Sequence, residues 1–170
     1  MTDKVEIEKK YLIMKPAVED MSGCEGFSYS DIVQIYLPAD GGATHRIRSR
    51  EYPDGRVEYT ETTKVRIDKM SAYEDESEID KETFDSLAEN ILEGTRPIEK
   101  RRYVFEYCGQ IFEIDEYPEY ENSCIMETEL SSRKDTVTMP PFIKIIADVT
   151  GDKRYSNASL AKVFPEEIKI

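Results

Sequence analysis

Polar and apolar residues alternate in short runs along most of the chain. A period of two places successive side chains on opposite faces of a β-strand. Turn-forming residues separate the runs, most clearly at Pro53-Asp54-Gly55, which lies between two charged segments. The pattern predicts about eight strands, over residues 4–13, 32–37, 44–50, 56–67, 72–79, 98–107, 110–117 and 124–130.

One segment instead has the periodicity of an amphipathic helix. Its apolar residues recur at three- and four-residue spacing: Phe84, Leu87, Ala88, Ile91 and Leu92. Asp80 is suited to cap the N-terminus and Gly94 to end the helix, so we predict a helix over 81–93. A short helix is predicted near 156–163, and the segment 14–31 is expected to join the first two strands and to carry a helix.

Many short strands and few helices are typical of an antiparallel sheet that curls into a barrel. We therefore predict an α+β fold in which an eight-stranded antiparallel β-barrel forms a tunnel and the helices pack outside it. A chain of 170 residues is long enough to bury a core and fits one domain. The predicted domain covers residues 1–170.

The polar positions of these runs are mostly ionic. In "KVEIEKKYLI" at 4–13, Glu6, Glu8 and Lys10 share one strand face. The same arrangement recurs at Arg46, Arg48, Lys64, Glu76, Glu78, Lys100, Arg102, Glu113, Asp115, Glu127 and Glu129. One such strand is typical of a sheet face in contact with water. Seven segments with this pattern favour a shared interior, in which carboxylates and bases line the lumen of the barrel.

The predicted lumen holds six bases and eight acids, so its net charge is −2 and it would repel a polyphosphate. Two divalent cations would reverse that sign. Mg²⁺ and Mn²⁺ prefer carboxylate oxygens and share phosphate oxygens, while arginine and lysine suit the remaining phosphate oxygens. The residues therefore predict a metal-dependent polyphosphate site, with two Mg²⁺ or Mn²⁺ ions as the cofactor during turnover.

Composition restricts the other partners. A net charge of −13 argues against general binding to nucleic acid or to an anionic membrane, because both require basic surface. The three cysteines have no metal-ligand spacing, and the chain has no run of about 18 apolar residues that could span a membrane. We expect reduced thiols and a cytoplasmic location, and the sequence leaves open whether the protein forms a dimer.

The Glu6-x-Glu8-x-Lys10 strand resembles the ExExK signature of the CYTH superfamily, the triphosphate tunnel metalloenzymes. The resemblance continues in order along nearly the whole chain, through "VQIYL", "HRIRSR", "YTETTK", "EDESEI", "IEKRRY", "FEIDEY" and "METEL". The segment "DVTGDKRYSNASLA" is similar to the end of the short bacterial members. One departure is Glu61, which stands where members usually have an apolar residue.

The resemblance implies an eight-stranded tunnel and a role for each matching side chain. The implied metal ligands are Glu6, Glu8, Asp115, Glu127 and Glu129. The implied triphosphate ligands are Lys10, Arg46, Arg48, Lys64, Lys100 and Arg102, with Arg154 or Lys153 added at the tunnel mouth. Lys10 and Glu129 are the candidates for a direct part in catalysis, while Glu76 and Glu78 receive no definite role.

Within this family the sequence favours a triphosphatase, which hydrolyses a phosphoanhydride bond. The first strand and the C-terminal segment resemble the short bacterial inorganic triphosphatases, which implies hydrolysis of inorganic triphosphate to pyrophosphate and phosphate. The alternatives are a class IV adenylyl cyclase, a thiamine or nucleoside triphosphatase, and a polyphosphate-binding module with little turnover. Complete acidic pairs argue against the last of these, because binding alone needs the bases more than paired metal ligands.

Overall fold

The computed structural model describes the backbone of residues 2–169 and the side chains of residues 5–169. The strands are β1 (Thr2–Met14), β2 (Glu25–Leu37), β3 (Ala43–Glu51), β4 (Val57–Arg66), β5 (Ser71–Ile79), β6 (Ile98–Tyr107), β7 (Gln110–Glu116), β8 (Ser123–Glu129) and β9 (Ile145–Asp148). The α-helices are α1 (Val18–Ser22), α2 (Lys81–Ala88) and α3 (Asn157–Leu160), and a 3₁₀ turn covers Lys153–Tyr155. No helix among the described residues is long and apolar enough to cross a membrane.

Eight of the strands are hydrogen-bonded into a closed ring. Neighbouring strands are antiparallel and follow the order β1-β5-β4-β3-β2-β6-β7-β8 and back to β1. The long strand β1 closes the ring because its residues 2–7 pair with β5 and its residues 8–14 pair with β8. Strand β9 extends the sheet beside residues 11–13 of β1. The predicted fold, with eight antiparallel strands around a lumen, is confirmed.

The strand register places the charged faces together inside the ring. Glu8 lies opposite Glu129 and Lys10 lies opposite Glu127 across the pair β1–β8. In a strand, every second side chain points to the same side of the sheet, so the charged residues two positions apart stay on one face. The charged residues that alternate with apolar ones in the sequence therefore face a single lumen.

Two apolar clusters pack against the outside of the ring. The larger cluster joins residues of β1, β6, β7 and β8 and is covered by α1 through Met21. The second lies on β2 and β3 and is covered by α2 through Phe84. Both clusters remove hydrophobic surface from water, and they hold the curved sheet against its helices.

A third apolar cluster lies inside one end of the ring. On β1, the face that carries Glu8 and Lys10 continues to Leu12, which is only 1% exposed. The cluster contains Leu12, Tyr36, Ile98, Tyr117, Ile125, Val149, Tyr155 and Leu160. Because several of these residues come from the C-terminal segment, that segment covers part of this end, and the lumen changes there from charged to apolar.

The helix α2 differs from its predicted length. It begins after Asp80, as expected, and the Asp80 carboxylate accepts a hydrogen bond from the Thr83 N–H at 2.7 Å. It ends at Ala88 instead of continuing to residue 93. The N–H of Leu92 donates to the carbonyl of Tyr36 at 2.8 Å, so a tertiary hydrogen bond replaces the last predicted helical turn.

Other boundaries also differ from the sequence pattern. Strand β2 begins at Glu25 instead of residue 32, because the polar stretch before Ile32 pairs with β6. The helix expected in 14–31 is confirmed as α1. The helix near the C-terminus is shorter than predicted and follows a 3₁₀ turn, and strand β9 was not predicted.

Candidate active site

The inward-facing side chains line a cavity of about 600 Å³ in the lumen. Most of the predicted site residues line it: Glu6, Glu8, Lys10, Arg46, Arg48, Lys64, Arg102, Glu127 and Glu129. The side chains of Lys100 and Asp115 are 0% and 2% exposed and lie behind this wall. The structure thus brings nearly all of the predicted side chains to one place.

Glu6 and Glu8 lie on the same face of β1, close to the ammonium group of Lys64. The Nζ atom of Lys64 is 3.7 Å from Glu6 Oε1 and 4.0 Å from Glu8 Oε1. Burial raises the pKa of both carboxyl groups, and acidic neighbours raise it further, namely Glu74 for Glu6 and Glu127 for Glu8. These carboxylates are crowded, so an added cation would lower their energy.

Lys10 and Glu127 form a nearly buried ion pair, with Nζ 3.2 Å from Oε1. Burial alone would lower the pKa of Lys10, but Glu127 and Glu8 raise it above its ordinary value. Burial alone would raise the pKa of Glu127, but Lys10 and Arg102 lower it to about 2. At neutral pH the first side chain is therefore a cation and the second an anion.

The acidic side chains of the lumen have the chemistry of a site for a hard divalent cation. Carboxylate oxygens are the preferred ligands of Mg²⁺ and Mn²⁺. The lumen offers them from two neighbouring strands, at Glu6, Glu8, Glu127 and Glu129. Among residues 5–169, however, no three acidic, histidine or cysteine side chains stand close enough to hold a metal ion as they are placed. Lys10 and Lys64 lie beside these carboxylates, so a bound cation would require the two ammonium groups to move away.

Two arginines of β3 carry buried positive charge toward the lumen. Arg48 donates through Nε and Nη2 to Oε1 of Gln34, at 3.1 Å in each case. Burial and the charges of Arg46 and Arg102 lower the pKa of Arg48 to about 9. The Nε atom of Arg46 is buried and has no hydrogen-bond partner among residues 5–169. Phosphate oxygens would accept a hydrogen bond from Nε of Arg46 and would place negative charge beside Arg48.

Asp115 is bound by bases through both of its oxygens. Arg102 donates from Nε to Oδ1 at 2.8 Å and from Nη2 to Oδ2 at 2.9 Å. Lys100 Nζ lies 2.9 Å from Oδ2. Burial alone would raise the pKa of Asp115, but Arg102 and Lys100 hold it well below its usual range. Asp115 therefore differs from the other predicted metal ligands. Its two oxygens already bind Arg102 and Lys100, so its position favours a role in orienting Arg102.

Arg154 does not reach the lumen. Its side chain is 71% exposed, and its guanidinium group pairs with Asp152 at 2.7 Å. The neighbouring residue Lys153 lines the cavity instead. The 3₁₀ turn over Lys153–Tyr155 separates the directions of the two side chains, so of the two bases predicted at the tunnel mouth only Lys153 is near the site.

Comparison with known proteins agrees with this geometry. The chain matches no profile of a known protein family. It is 31% identical over 159 residues to a curated inorganic triphosphatase of Acetivibrio thermocellus, and the match covers 92% of this chain and 93% of the relative. The chain belongs to the CYTH superfamily of triphosphate tunnel metalloenzymes.

Solved structures show the same CYTH fold. The structure of the inorganic triphosphatase NE1496 is 29% identical in sequence, with a TM-score of 0.60, and the match covers 94% of this chain and 96% of that one. The PH1012 protein from Pyrococcus horikoshii is 21% identical, with a TM-score of 0.55, over 75% of this chain and 80% of that one. The similarity to PH1012 shows a shared fold only.

Several lumen residues of this CYTH protein were not predicted. Gln34 is fully buried, accepts from Arg48, and donates through Nε2 to the hydroxyl of Tyr36 at 2.8 Å. The sequence signal for Gln34 is that a glutamine stands within the otherwise apolar run "VQIYL". Glu74 also lines the cavity, on the same face as the predicted Glu76. Its position two residues before Glu76 would have identified it.

Proposed function

We propose that this protein hydrolyses inorganic triphosphate to pyrophosphate and phosphate in the lumen, with Mg²⁺ or Mn²⁺ as the cofactor. One observation carries the proposal: mutually repelling, half-buried arginines and crowded carboxylates line the same cavity. A triphosphate with its divalent cations would neutralise both groups. The names of the Acetivibrio thermocellus relative and of NE1496 support this choice of substrate.

The lumen residues divide into three groups in this proposal. The carboxylates assigned to the metal ions are Glu6, Glu8, Glu127 and Glu129. The bases assigned to phosphate oxygens are Lys10, Arg46, Arg48, Lys64 and Arg102. Asp115 is assigned to hold Arg102 in place, and Lys100 pairs with the same enclosed carboxylate behind the lumen wall.

The reaction requires a nucleophilic water and stabilisation of the leaving group. Divalent cations, when bound, supply positive charge to the phosphate oxygens and lower the pKa of a coordinated water. We assign Glu129 to orient the attacking water and Lys10 to stabilise the charge that develops on pyrophosphate. Both side chains line the cavity.

Removal of divalent metal should abolish turnover. We expect release of phosphate from inorganic triphosphate in the presence of Mg²⁺ or Mn²⁺, complete loss of it in excess EDTA, and recovery when metal is added back. The measurement is a phosphate-release assay on a panel of inorganic triphosphate, ATP, thiamine triphosphate and long-chain polyphosphate. Cyclic AMP is quantified in the ATP arm.

Each other outcome of this panel contradicts a stated part of the proposal. Full activity in excess EDTA would contradict the metal requirement. Cyclic AMP as the main product would favour the cyclase, and preference for thiamine triphosphate or ATP would replace the substrate. Tight binding of triphosphate with no phosphate release would favour the binding module.

Replacement of Arg48 by alanine should weaken substrate binding. Hydrogen bonds to charged groups contribute about 1.5–3 kcal/mol, so we expect KM for triphosphate to rise about 10- to 100-fold. Steady-state kinetics provide the measurement. Arg56→Ala is the matched control, because Arg56 is exposed and pairs with Glu58 outside the lumen. Equal KM values in the wild type and in Arg48→Ala would show that Arg48 does not bind the substrate.

The remaining parts of the proposal concern the whole protein. We propose a single domain over residues 1–170 and a cytoplasmic location, and the chemistry of the site calls for neither nucleic acid nor a membrane. Light scattering coupled to gel filtration would distinguish a monomer from the dimer that the sequence leaves open.

A further inference from the structure

The C-terminal segment, residues 149–158, contributes to one wall of the lumen and is tied to β1. The N–H of Val149 donates to the carbonyl of Lys10 at 3.0 Å, and the hydroxyl of Thr150 accepts from the N–H of Lys10 at 2.9 Å. The carbonyl of Tyr155 accepts from Lys10 Nζ at 3.3 Å. The segment is therefore held against the strand that carries the ExExK motif, and its side chains have defined positions at the cavity.

Asn157, the first residue of α3, is the polar side chain of this segment that contacts the buried network. Its Oδ1 atom accepts from the hydroxyl of Tyr117 at 2.8 Å and from Lys100 Nζ at 3.3 Å. Lys100 Nζ and the Tyr117 hydroxyl can both donate to an amide oxygen, whereas an amide nitrogen in that place could accept from neither. The orientation of the amide is thereby determined, and Nδ2 lies on the side away from Lys100 and Tyr117.

The other half of this amide has two N–H donors and no hydrogen-bond partner among residues 5–169. Asn157 lines the same cavity as Lys10 and Arg102, whose charges attract an anion. Amide donors are well suited to phosphate oxygens, which only accept. We propose that Asn157 binds an oxygen of the triphosphate through Nδ2, while its Oδ1 contacts keep the amide oriented. This inference rests on the proposed function and adds a substrate ligand from the C-terminal segment.

Two substitutions separate this role from a purely structural one. Asn157→Asp retains an oxygen toward Lys100 and Tyr117, but it replaces the Nδ2 donor with an anionic oxygen that repels phosphate. Tyr117→Phe removes one hydrogen bond to Oδ1 and leaves Nδ2 in place. A structural anchor would be weakened more by Tyr117→Phe, whereas a substrate ligand would be lost only in Asn157→Asp.

The measurements are KM for inorganic triphosphate, the dissociation constant of a non-hydrolysable triphosphate analogue by calorimetry at saturating Mg²⁺, and the melting temperature of each variant. We expect KM and the dissociation constant to rise about tenfold or more in Asn157→Asp and to change less than about threefold in Tyr117→Phe. Calorimetry at two Mg²⁺ concentrations excludes an effect of metal captured by the new carboxylate. If Asn157→Asp melts several degrees below the wild type, Asn157→Ala is measured against the same criterion.

Two results would overturn the inference. Values within threefold of the wild type in Asn157→Asp would show that Nδ2 does not meet the substrate. Losses in Tyr117→Phe equal to or greater than those in Asn157→Asp would show that Asn157 serves only to anchor the segment. A wild-type protein that neither binds nor hydrolyses triphosphate would contradict the proposed function itself, whereas normal wild-type turnover with an unaffected Asn157→Asp variant would contradict this inference alone.

Discussion

Replacement of Glu6 by glutamine should reduce the hydrolysis of inorganic triphosphate about a hundredfold or more, since even residues that only support metal ligands cost up to this factor when mutated. Glutamine keeps the shape of the side chain but offers no anionic oxygen to a divalent cation. It also removes a charge that faces Lys64 at 3.7 Å. The measurements are turnover at saturating Mg²⁺ and Mg²⁺ affinity by calorimetry. Glu129→Gln should lose turnover in the same way.

The matched control for this substitution is Glu61→Gln. Glu61 lies on the ring strand β4 but outside the lumen, where its Oε2 is 2.6 Å from Nε2 of His45. We expect wild-type turnover and Mg²⁺ affinity in this variant. Wild-type rates in both Glu6→Gln and Glu129→Gln would place the metal site elsewhere.

Replacement of Asp115 by asparagine should lower the free energy of unfolding by about 3–5 kcal/mol, the usual cost of removing one partner of a buried ion pair. The substitution leaves Arg102 and Lys100 buried beside a neutral amide. Because Asp115 already has both oxygens bound by these bases, Mg²⁺ affinity should stay unchanged. Urea unfolding gives the first quantity and calorimetry the second.

Asp31→Asn is the control for this prediction. Asp31 also forms a two-point contact with an arginine, Arg101, but the two side chains are 53% and 43% exposed. Exposed ion pairs contribute about 0–1 kcal/mol, so the loss of stability should be correspondingly small. A large loss of Mg²⁺ affinity in Asp115→Asn, with little loss of stability, would instead identify Asp115 as a metal ligand.

The stability difference caused by Asp115→Asn should also depend on pH in a defined direction. The folded state holds the pKa of Asp115 well below the ordinary value of 3.8. The carboxylate therefore contributes its full stability above that pH, where the unfolded chain is also ionised. The contribution declines as the pH falls below 3.8, because the unfolded state then gains a proton that the folded state does not. Unfolding curves at several acidic pH values measure this decline.

The closed ring could be predicted from the sequence because strand alternation is a local property. On β1, the alternation of charged and apolar residues from Glu6 to Lys10 indicates directly which side chains point into the ring. The first half of β2 was not predicted, although Phe27 and Tyr29 alternate there with serines, because the irregular register between Glu25 and Ser28 leaves only a short regular run. The end of α2 depends on the hydrogen bond from Leu92 to Tyr36, which is a contact between distant parts of the chain.

The candidate site, like the fold, could be predicted only in part from the sequence. The sequence indicates which side chains face inward, but not how deeply each one is enclosed. Lys100 and Arg102 look alike in the strand pattern, yet only Arg102 lines the cavity. Asp115 matches the pattern of a metal ligand, although the two bases already occupy its oxygens. Asn157 was not predicted as a site residue, because its position at the cavity depends on the path of the C-terminal segment across the end of the ring.

The pairing of β1 has a consequence for synthesis of the protein. This strand leaves the ribosome before its hydrogen-bonding partners, which are residues 71–76, 123–129 and 145–148. Ring closure must therefore wait until β8 has been translated, because contacts between distant residues form only when both are available. Until then, Glu6 and Glu8 are separated from Glu127 and Glu129. The nascent protein consequently cannot bring these four carboxylates together before β8 has been translated.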